Sequence, residues 1–81
     1  MRVRVRFFSY FRDLTGCDET LVDLVDGATV AELLTIVEQR FPKLTGAAKS
    51  TLVAIGVEYA ARTDKLKNGD EVALFPPVQG G

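Results

Sequence analysis

A single amphipathic helix between strand-like segments is the feature that most constrains how this 81-residue chain can fold. The apolar residues of one helical stripe are Val30, Leu33, Leu34, Val37 and Phe41, spaced at i, i+3, i+4, i+7 and i+11. Thr29 and Glu32 have the spacing of a capping box at the start of this helix. Pro42 ends it, because the residue before a proline is disfavoured from helical geometry. One such helix can cover one face of one sheet, so the sequence predicts two packed layers.

The segments before and after the helix have the pattern of β-strands. Residues 1–8 alternate strictly, with Val3, Val5 and Phe7 on one face, which is typical of a half-buried strand. Further strands are predicted over residues 19–24, 52–55, 58–60 and 70–75. The order β-β-α-β-β-β predicts an α+β fold with a mixed sheet of about five strands and one main helix. The pattern fits a β-grasp sheet, in which the first and last strands lie side by side.

Shorter sequence patterns predict the turns and loops that connect these elements. Residues 9–15 predict a helical turn ended by Gly16, and Asn68-Gly69 predicts a tight turn before the last strand. The segment that follows the helix, through Lys49, is predicted as a polar loop. No repeat or linker interrupts the chain, so residues 1–81 are predicted to form a single domain whose tail is residues 76–81.

Composition limits the class of protein. The chain is 47% hydrophobic with a net charge of −1, which favours a globular domain over a disordered one. A nucleic-acid-binding domain usually has a clear basic excess, and this chain has none. No stretch approaches the ~20 apolar residues of a membrane span, and no apolar segment like that of a signal peptide follows the first arginines. We therefore expect a cytoplasmic protein that binds neither nucleic acid nor membrane.

One cysteine and no histidine limit the chemistry that the chain can perform alone. The single Cys17 excludes an internal disulfide and a cysteine-rich zinc site. The absence of histidine removes His-ligated metals, His-dependent triads and the usual general base near pH 7. We expect no metal site and no tightly bound cofactor, and we interpret Cys17 as a passive thiol rather than a sulfur relay. The composition favours a carrier over a catalyst.

The end of the sequence predicts an extended tail. Its residues are Pro76, Pro77, Val78, Gln79, Gly80 and Gly81. The two prolines fix φ and lack an N–H, so the chain should leave its last strand as a stiff, polyproline-like stalk. The two glycines have no Cβ and can enter a channel too narrow for any other residue. The tail therefore fits a chain end that threads into the active site of another protein.

The group delivered by such a tail is the α-carboxylate of Gly81. It is ionised at neutral pH and resists nucleophilic attack, so it must first be activated. We expect a partner enzyme to use ATP to form an acyl-adenylate. A sulfur nucleophile would then convert it to a thiocarboxylate, and an amine would convert it to an amide. The alternative interpretation is a loose polar terminus without a function.

The phase of the last strand predicts an aromatic patch at the root of the tail. Phe75 shares a face with the charged Glu71, opposite Val72 and Leu74, and is therefore predicted to be exposed. Phe8 lies by the same reasoning on the arginine-bearing, exposed face of the first strand. If the two strands are neighbours, the rings form a patch ringed by arginines, which is typical of a partner interface. The alternative is that one ring lies under the tail and the arginines only solvate the sheet.

Three segments together resemble a known family. They are Val-Arg-Phe-Phe at residues 5–8, the run from Arg12 to Gly16, and the closing segment from Asn68 to Gly81. The closing Gly-Asp-Glu-Val-Ala-Leu-Phe-Pro-Pro-Val-Gln-Gly-Gly is the most specific of them. These segments resemble the small, sulfur-carrying subunit of molybdopterin synthase, a ubiquitin-like protein of the MoaD/ThiS type, over the whole chain. The resemblance implies a ubiquitin-like β-grasp fold.

The resemblance also implies a function for the tail. An adenylyltransferase would activate Gly81, which would then become a thiocarboxylate, with Gly80 as its companion in the channel. The tail would enter the large subunit of the synthase and donate sulfur to cyclic pyranopterin monophosphate, forming the dithiolene of molybdopterin. The implied assembly is a heterotetramer of small and large subunits in equal number.

The resemblance further implies that Phe8, Arg12, Tyr59 and Phe75 face the large subunit. For Phe8 and Phe75 this agrees with the strand phase. The sequence departs from the family pattern at Gly56-Val57, where relatives often have an asparagine. Glycine and asparagine both tolerate positive φ, so the turn should be kept, but a contact made by that asparagine side chain would be lost.

Three other functions remain open at the level of sequence. The nearest is the sulfur carrier of thiamine biosynthesis, which has the same fold and chemistry; the Phe-Pro-Pro-Val stalk and the length argue against it. The second is a ubiquitin-like modifier joined to lysines through Gly81. The third is a plain interaction module in which Gly80-Gly81 is incidental.

Overall fold

Five strands form one mixed sheet in the computed structural model, which describes residues 1–47 and 49–77. The strands are β1 (Arg2–Phe7), β2 (Glu19–Asp23), β3 (Leu52–Ile55), β4 (Glu58–Tyr59) and β5 (Glu71–Phe75). The helices are α1 (Phe11–Thr15), α2 (Val30–Arg40) and a 3-10 turn over Pro42–Leu44. The strands lie side by side in the order β2-β1-β5-β3-β4. The predicted α+β fold, a mixed sheet with one main helix, is confirmed.

The first and last strands form the centre of the sheet, as predicted. They run parallel, and their register places Phe7 beside Leu74. β2 pairs antiparallel with the outer edge of β1, and β3 pairs antiparallel with the other edge of β5. β5 is therefore hydrogen-bonded on both sides until its last residue, which gives the tail a fixed point of departure.

One face of the sheet is buried, and the predicted alternation decides which face it is. Val3, Val5 and Phe7 of β1 are at most 2% exposed, and Val72 and Leu74 of β5 are buried beside them. The stripe of α2 covers this face, as the sequence predicts. Burial of this apolar surface is the main source of stability for so small a domain.

The main helix begins and ends where its sequence signals predict. The Glu32 N–H donates to Thr29 Oγ1 at 3.3 Å, which satisfies one of the free donors of the first turn. The helix stops at Arg40, and Phe41 has the non-helical angles φ −124° and ψ 83° that precede a proline. Within the described ranges, no helix is long and apolar enough to cross a membrane.

The predicted polar loop after α2 needs a correction, because its first residues form a 3-10 turn over Pro42–Leu44. The Thr45 N–H donates to Pro42 O at 3.0 Å, and Leu44 is only 4% exposed. Proline ends the preceding helix but is favourable as the first residue of a new helical turn, since its missing N–H is not needed there. The new turn directs Leu44 into the core.

The Asn68-Gly69 turn fixes the register of β5 against β1. Gly69 has φ +86°, a conformation that glycine adopts without steric cost. The Gly69 N–H donates to Arg2 O at 2.8 Å, and the Arg2 N–H donates to Asn68 Oδ1 at 2.8 Å. The turn is thereby tied to the start of β1, and this alignment carries through to the opposite end of both strands.

Candidate functional site

The aromatic patch predicted at the root of the tail is present as a stacked pair. The rings of Phe8 and Phe75 have centroids 4.6 Å apart and planes inclined by 17°. They meet because Phe7 and Leu74 are neighbours in the parallel pair, so the next residue on each strand projects from the same end of the sheet. The Phe8 N–H donates to Leu74 O at 3.2 Å and fixes the backbone of the pair.

Neither ring is as exposed as the strand phase predicts. Phe8 and Phe75 are both half-buried, because each ring covers a face of the other. Leu52 lies directly opposite Phe75 in the register between β3 and β5. Strand periodicity identified the face on which the rings lie, but it could not report the burial that they give each other.

Of the arginines expected around the patch, Arg6 lies beside the rings and is paired with an acid. Arg6 does lie over the Phe8 ring, with its Cζ 5.4 Å from the centroid, and this is within the range of a cation–π contact. However, Arg6 Nη1 also lies 3.0 Å from Glu71 Oε1, an acid on the neighbouring strand β5. The cation beside the aromatic stack is therefore neutralised.

The other two arginines of β1 are paired with acids of β2. Arg4 Nε lies 3.2 Å from Glu19 Oε2, and Arg2 Nε lies 2.8 Å from Asp23 Oδ1. The hydrogen bond from Arg2, reinforced by its charge, lowers the pKa of Asp23. Exposed pairs of this kind contribute little to stability, but they leave the open face of the sheet without a strong net charge.

A shallow depression adjoins the stack and leads to the tail. It is lined by Ser9, Tyr10, Leu52, Tyr59, Phe75, Pro76 and Pro77. Tyr59 is 78% exposed at the edge strand β4, while the two prolines are half-buried. The structure therefore brings Phe8, Tyr59 and Phe75 together with the first two residues of the tail. Gly56, at the turn before β4, has φ +61°, so the turn is kept without the asparagine.

Arg12 lies apart from this cluster, exposed on α1. It lines a second, more polar depression with Ser9, Tyr10, Asp13, Gly16, Cys17 and Asp18. Ser9 and Tyr10 line both depressions and so stand between Arg12 and the tail root. Neither Ser9 nor Tyr10 was predicted as a site residue from the sequence. The available signal for Tyr10 is its position beside the apolar Phe11, since two adjacent residues of a short helix cannot both face the core.

Cys17 packs as a half-buried apolar residue against the core. Its backbone carbonyl accepts a hydrogen bond from Thr15 Oγ1 at 3.0 Å. Across residues 1–47 and 49–77, no three His, Cys, Asp or Glu side chains come together as a metal site would require.

Four of the predicted site residues lie outside the described residues. They are Val78, Gln79, Gly80 and Gly81. Only Pro76 and Pro77 of the predicted tail are described, and both lie beside Phe75 and Tyr59.

Comparison with known proteins identifies relatives of the whole chain. The model of the ThiS family matches residues 5–81. The molybdopterin synthase sulfur carrier subunit of Chlamydomonas reinhardtii is 37% identical, and the alignment covers 100% of both chains. Among solved structures, small archaeal modifier protein 1 of Haloferax volcanii is 28% identical, with a TM-score of 0.90 over 100% of both chains. A chain from the complex of subunits 1 and 2 of the molybdopterin-converting factor of Helicobacter pylori is 26% identical, with a TM-score of 0.71 over 100% of both chains.

Proposed function

The chain belongs to the ThiS family, and we propose that it is the sulfur-carrier subunit of a molybdopterin synthase. The observation that carries this proposal is the similarity to a molybdopterin synthase sulfur carrier subunit, because the alignment covers the full length of both chains. The thiamine-pathway carrier remains a rival within the same family. The similarity to a protein solved in a complex of subunits 1 and 2 of molybdopterin-converting factor supports a large subunit as the partner.

The geometry at the end of β5 supports delivery of a tail. β1 pairs with this strand as far as Leu74, and β3 pairs with it as far as Phe75. Pro76 and Pro77 have no N–H to donate, so they cannot continue the hydrogen bonding of the sheet. The six residues from Pro76 to Gly81 can reach about 20 Å when extended. A rigid base and a stalk of this length suit insertion into a neighbouring active site.

In this proposal the chemistry takes place at the Gly81 carboxylate, as sequence reasoning expects. Its oxygen attacks the α-phosphorus of ATP on an adenylyltransferase, pyrophosphate leaves, and an acyl-adenylate forms. A sulfur nucleophile supplied by the activating system then displaces AMP and leaves a thiocarboxylate. Gly80 and Gly81 enter the channel of the large subunit because neither has a Cβ. Each loaded chain donates one sulfur, so the dithiolene of molybdopterin requires successive visits by loaded tails. Because activation of Gly81 consumes ATP, the proposed compartment is the cytoplasm.

The aromatic surface would dock the domain while the tail reacts. Phe8, Tyr59 and Phe75 surround the tail root, and stacked aromatic rings are common energetic anchors of interfaces. Arg12 would contribute from the adjoining depression on α1. This domain carries the sulfur and positions it, whereas the large subunit supplies the substrate pocket and the acid–base groups.

Thiocarboxylated protein is expected to convert cyclic pyranopterin monophosphate only when the large subunit is present. The physical reason is that this chain has a single cysteine and no histidine, the residue that most often serves as general base near pH 7. Single-turnover assays with and without the large subunit measure this directly. Product formed by the small subunit alone would contradict the assignment of roles, and failure of the complete mixture would contradict the proposed function.

Cys17→Ser is the matched control in that assay. Because Cys17 is half-buried against the core, we interpret it as a packing residue, and sulfur transfer should be unchanged in the variant. A folded, fully loaded Cys17→Ser protein that fails to transfer sulfur would instead identify the thiol as a relay.

A protein modifier is the second candidate function, favoured by the high structural similarity to small archaeal modifier protein 1. The two functions share the activated Gly81 and differ in the nucleophile that attacks it, sulfur in one case and a lysine amine in the other. Expression in a host with sulfurating enzymes, followed by intact-mass measurement, separates them. We expect a gain of about 16 Da, from exchange of oxygen for sulfur at the activated carboxyl. A series of lysine adducts would favour the modifier, and an unchanged mass would favour a plain interaction module.

A further inference from the structure

Tyr10 is a large aromatic residue that the proposed sulfur transfer leaves without a role. It is 44% exposed, while its neighbour Phe11 is 1% exposed in the core. Tyr10 lines the depression at the tail root and also the depression that contains Arg12. It is therefore placed where two otherwise separate parts of the surface meet.

The backbone conformation that brings Tyr10 to this position is unfavourable. Ser9 has φ +56°, and among the described residues it is the one non-glycine residue with positive φ. Such a conformation is uncommon for a residue with a Cβ, and it persists where the surrounding structure imposes it. It turns the chain sharply between β1 and α1. Phe8, which precedes this turn, stacks on Phe75, and Tyr10, which follows it, lies exposed beside the tail root.

The Tyr10 ring is held in position before any partner binds. The N–H groups of Asp13 and Leu14 donate to Tyr10 O at 3.0 and 3.1 Å, which fixes its backbone at the start of α1. The ring packs edge-on against Phe11, with centroids 5.5 Å apart and planes at 87°. An aromatic side chain that is already ordered loses little conformational freedom on binding, and this favours affinity.

The two sides of Tyr10 differ in chemistry. Towards the tail lie Leu52, Phe75 and the prolines, which offer apolar contact. Towards α1 lie Arg12, Asp13 and Asp18, which offer charge and hydrogen bonds. Tyrosine combines an apolar ring with a polar hydroxyl, so it suits the boundary between an apolar and a polar contact.

We propose that Tyr10 is an anchor of the contact with the synthase large subunit, and that it joins the tail root and Arg12 into one continuous docking surface. This inference rests on the proposed function. The identity of the partner follows from the position of the tail, because Pro76 and Pro77 line the same depression as Tyr10. A protein that takes the rest of the tail into its active site must lie against this depression. Its surface should be apolar opposite Phe75, and at the other depression it should offer a hydrogen-bond acceptor to Arg12 and donors to Asp13 and Asp18.

The test compares Tyr10→Ala with Val25→Ala in binding to the large subunit by calorimetry. Val25 is 73% exposed in the connection between β2 and α2, and it lies in neither depression. We expect Tyr10→Ala to raise the Kd about tenfold or more and Val25→Ala to leave it unchanged. Because Tyr10→Ala also removes packing against Phe11, thermal unfolding is measured for each protein. Tyr10→Gln, which retains a larger side chain, provides a second folded variant and should weaken binding in the same direction.

Other results would overturn the inference in distinguishable ways. Phe75→Ala is measured in parallel: if it weakens binding while Tyr10→Ala and Tyr10→Gln bind like the unmodified protein, the anchor role is wrong and the proposed function stands. If the unmodified protein does not bind the large subunit, both fall. If adenylation of Gly81 slows in the Tyr10 variants while affinity for the large subunit is unchanged, Tyr10 serves the activating enzyme instead.

Discussion

Deletion of Gly81 is expected to abolish sulfur donation while the domain stays folded. The shortened tail ends in the carboxylate of Gly80, about 3.3–3.6 Å short of its required position. A misplacement of only 1 Å can cost about 100-fold in rate, so a full residue should leave no measurable transfer. One residue added after Gly81 should have the same effect, because it removes the carboxylate from this position. Loading is measured by intact mass and transfer by single-turnover assay.

Gly80→Val tests whether the tail must be narrow, and it should also abolish sulfur donation. It keeps the length and the terminal carboxylate but adds a branched side chain that should not enter a channel sized for glycine. The unfolding temperature should be unchanged in all three variants, because β5 ends at Phe75, before the altered positions. Full activity from an unprocessed, extended protein would contradict the carrier function.

The second large effect is expected at the aromatic stack. Phe75→Ala should weaken binding to the large subunit by about 2 kcal/mol or more, close to 30-fold in Kd, if the ring is an interface anchor. The stacking seen in the structure adds a smaller cost in stability. Because Phe75 stacks on Phe8, the free energy of unfolding should fall by about 1 kcal/mol. Calorimetry with the large subunit and chemical denaturation of the free protein measure the two effects separately.

Phe7→Ala provides the opposite pattern for comparison. Phe7 is 2% exposed on the core face of β1, the strand that pairs with β5, and its ring packs edge-on against Phe41 with centroids 5.2 Å apart. Its removal should cost about 3–5 kcal/mol of stability, since it leaves a cavity in the core. At a temperature where the variant is folded, its affinity for the large subunit should be close to normal. Strong destabilisation by Phe75→Ala with unchanged binding would mean that Phe75 belongs to the core.

The local elements of this domain were predictable from the sequence because each has a local cause. The alternation over residues 1–8 reflects the two faces of a strand, and the stripe from Val30 to Phe41 reflects the turn of a helix. Gly69 and Pro42 act through their own φ angles and need no distant partner. The tail chemistry expected from the residue types near Gly81 stays a prediction, because residues 78–81 lie outside the described residues. The sequence also resembled a family whose membership the comparisons confirm.

What the sequence did not determine depends on contacts between residues far apart in the chain. Phe8 and Phe75 cover each other only because the β1–β5 register aligns their strand ends. The arginines of β1 were expected around the aromatic patch, and the ion pairs that each of them forms with an acid of a neighbouring strand could not be predicted without the register.

Leu44 and Tyr10 illustrate the same limit in the connections. Leu44 occurs in a segment that looks like a polar loop, and it is buried because the 3-10 turn, which contacts α1 and α2, directs it into the core. Tyr10 lies at the boundary of the two depressions because the positive φ of Ser9 turns the chain there. Periodicity determines which face of an element a side chain occupies. Only the tertiary structure decides what that face meets, because strand register and chain direction at the turns are set by packing of the whole domain.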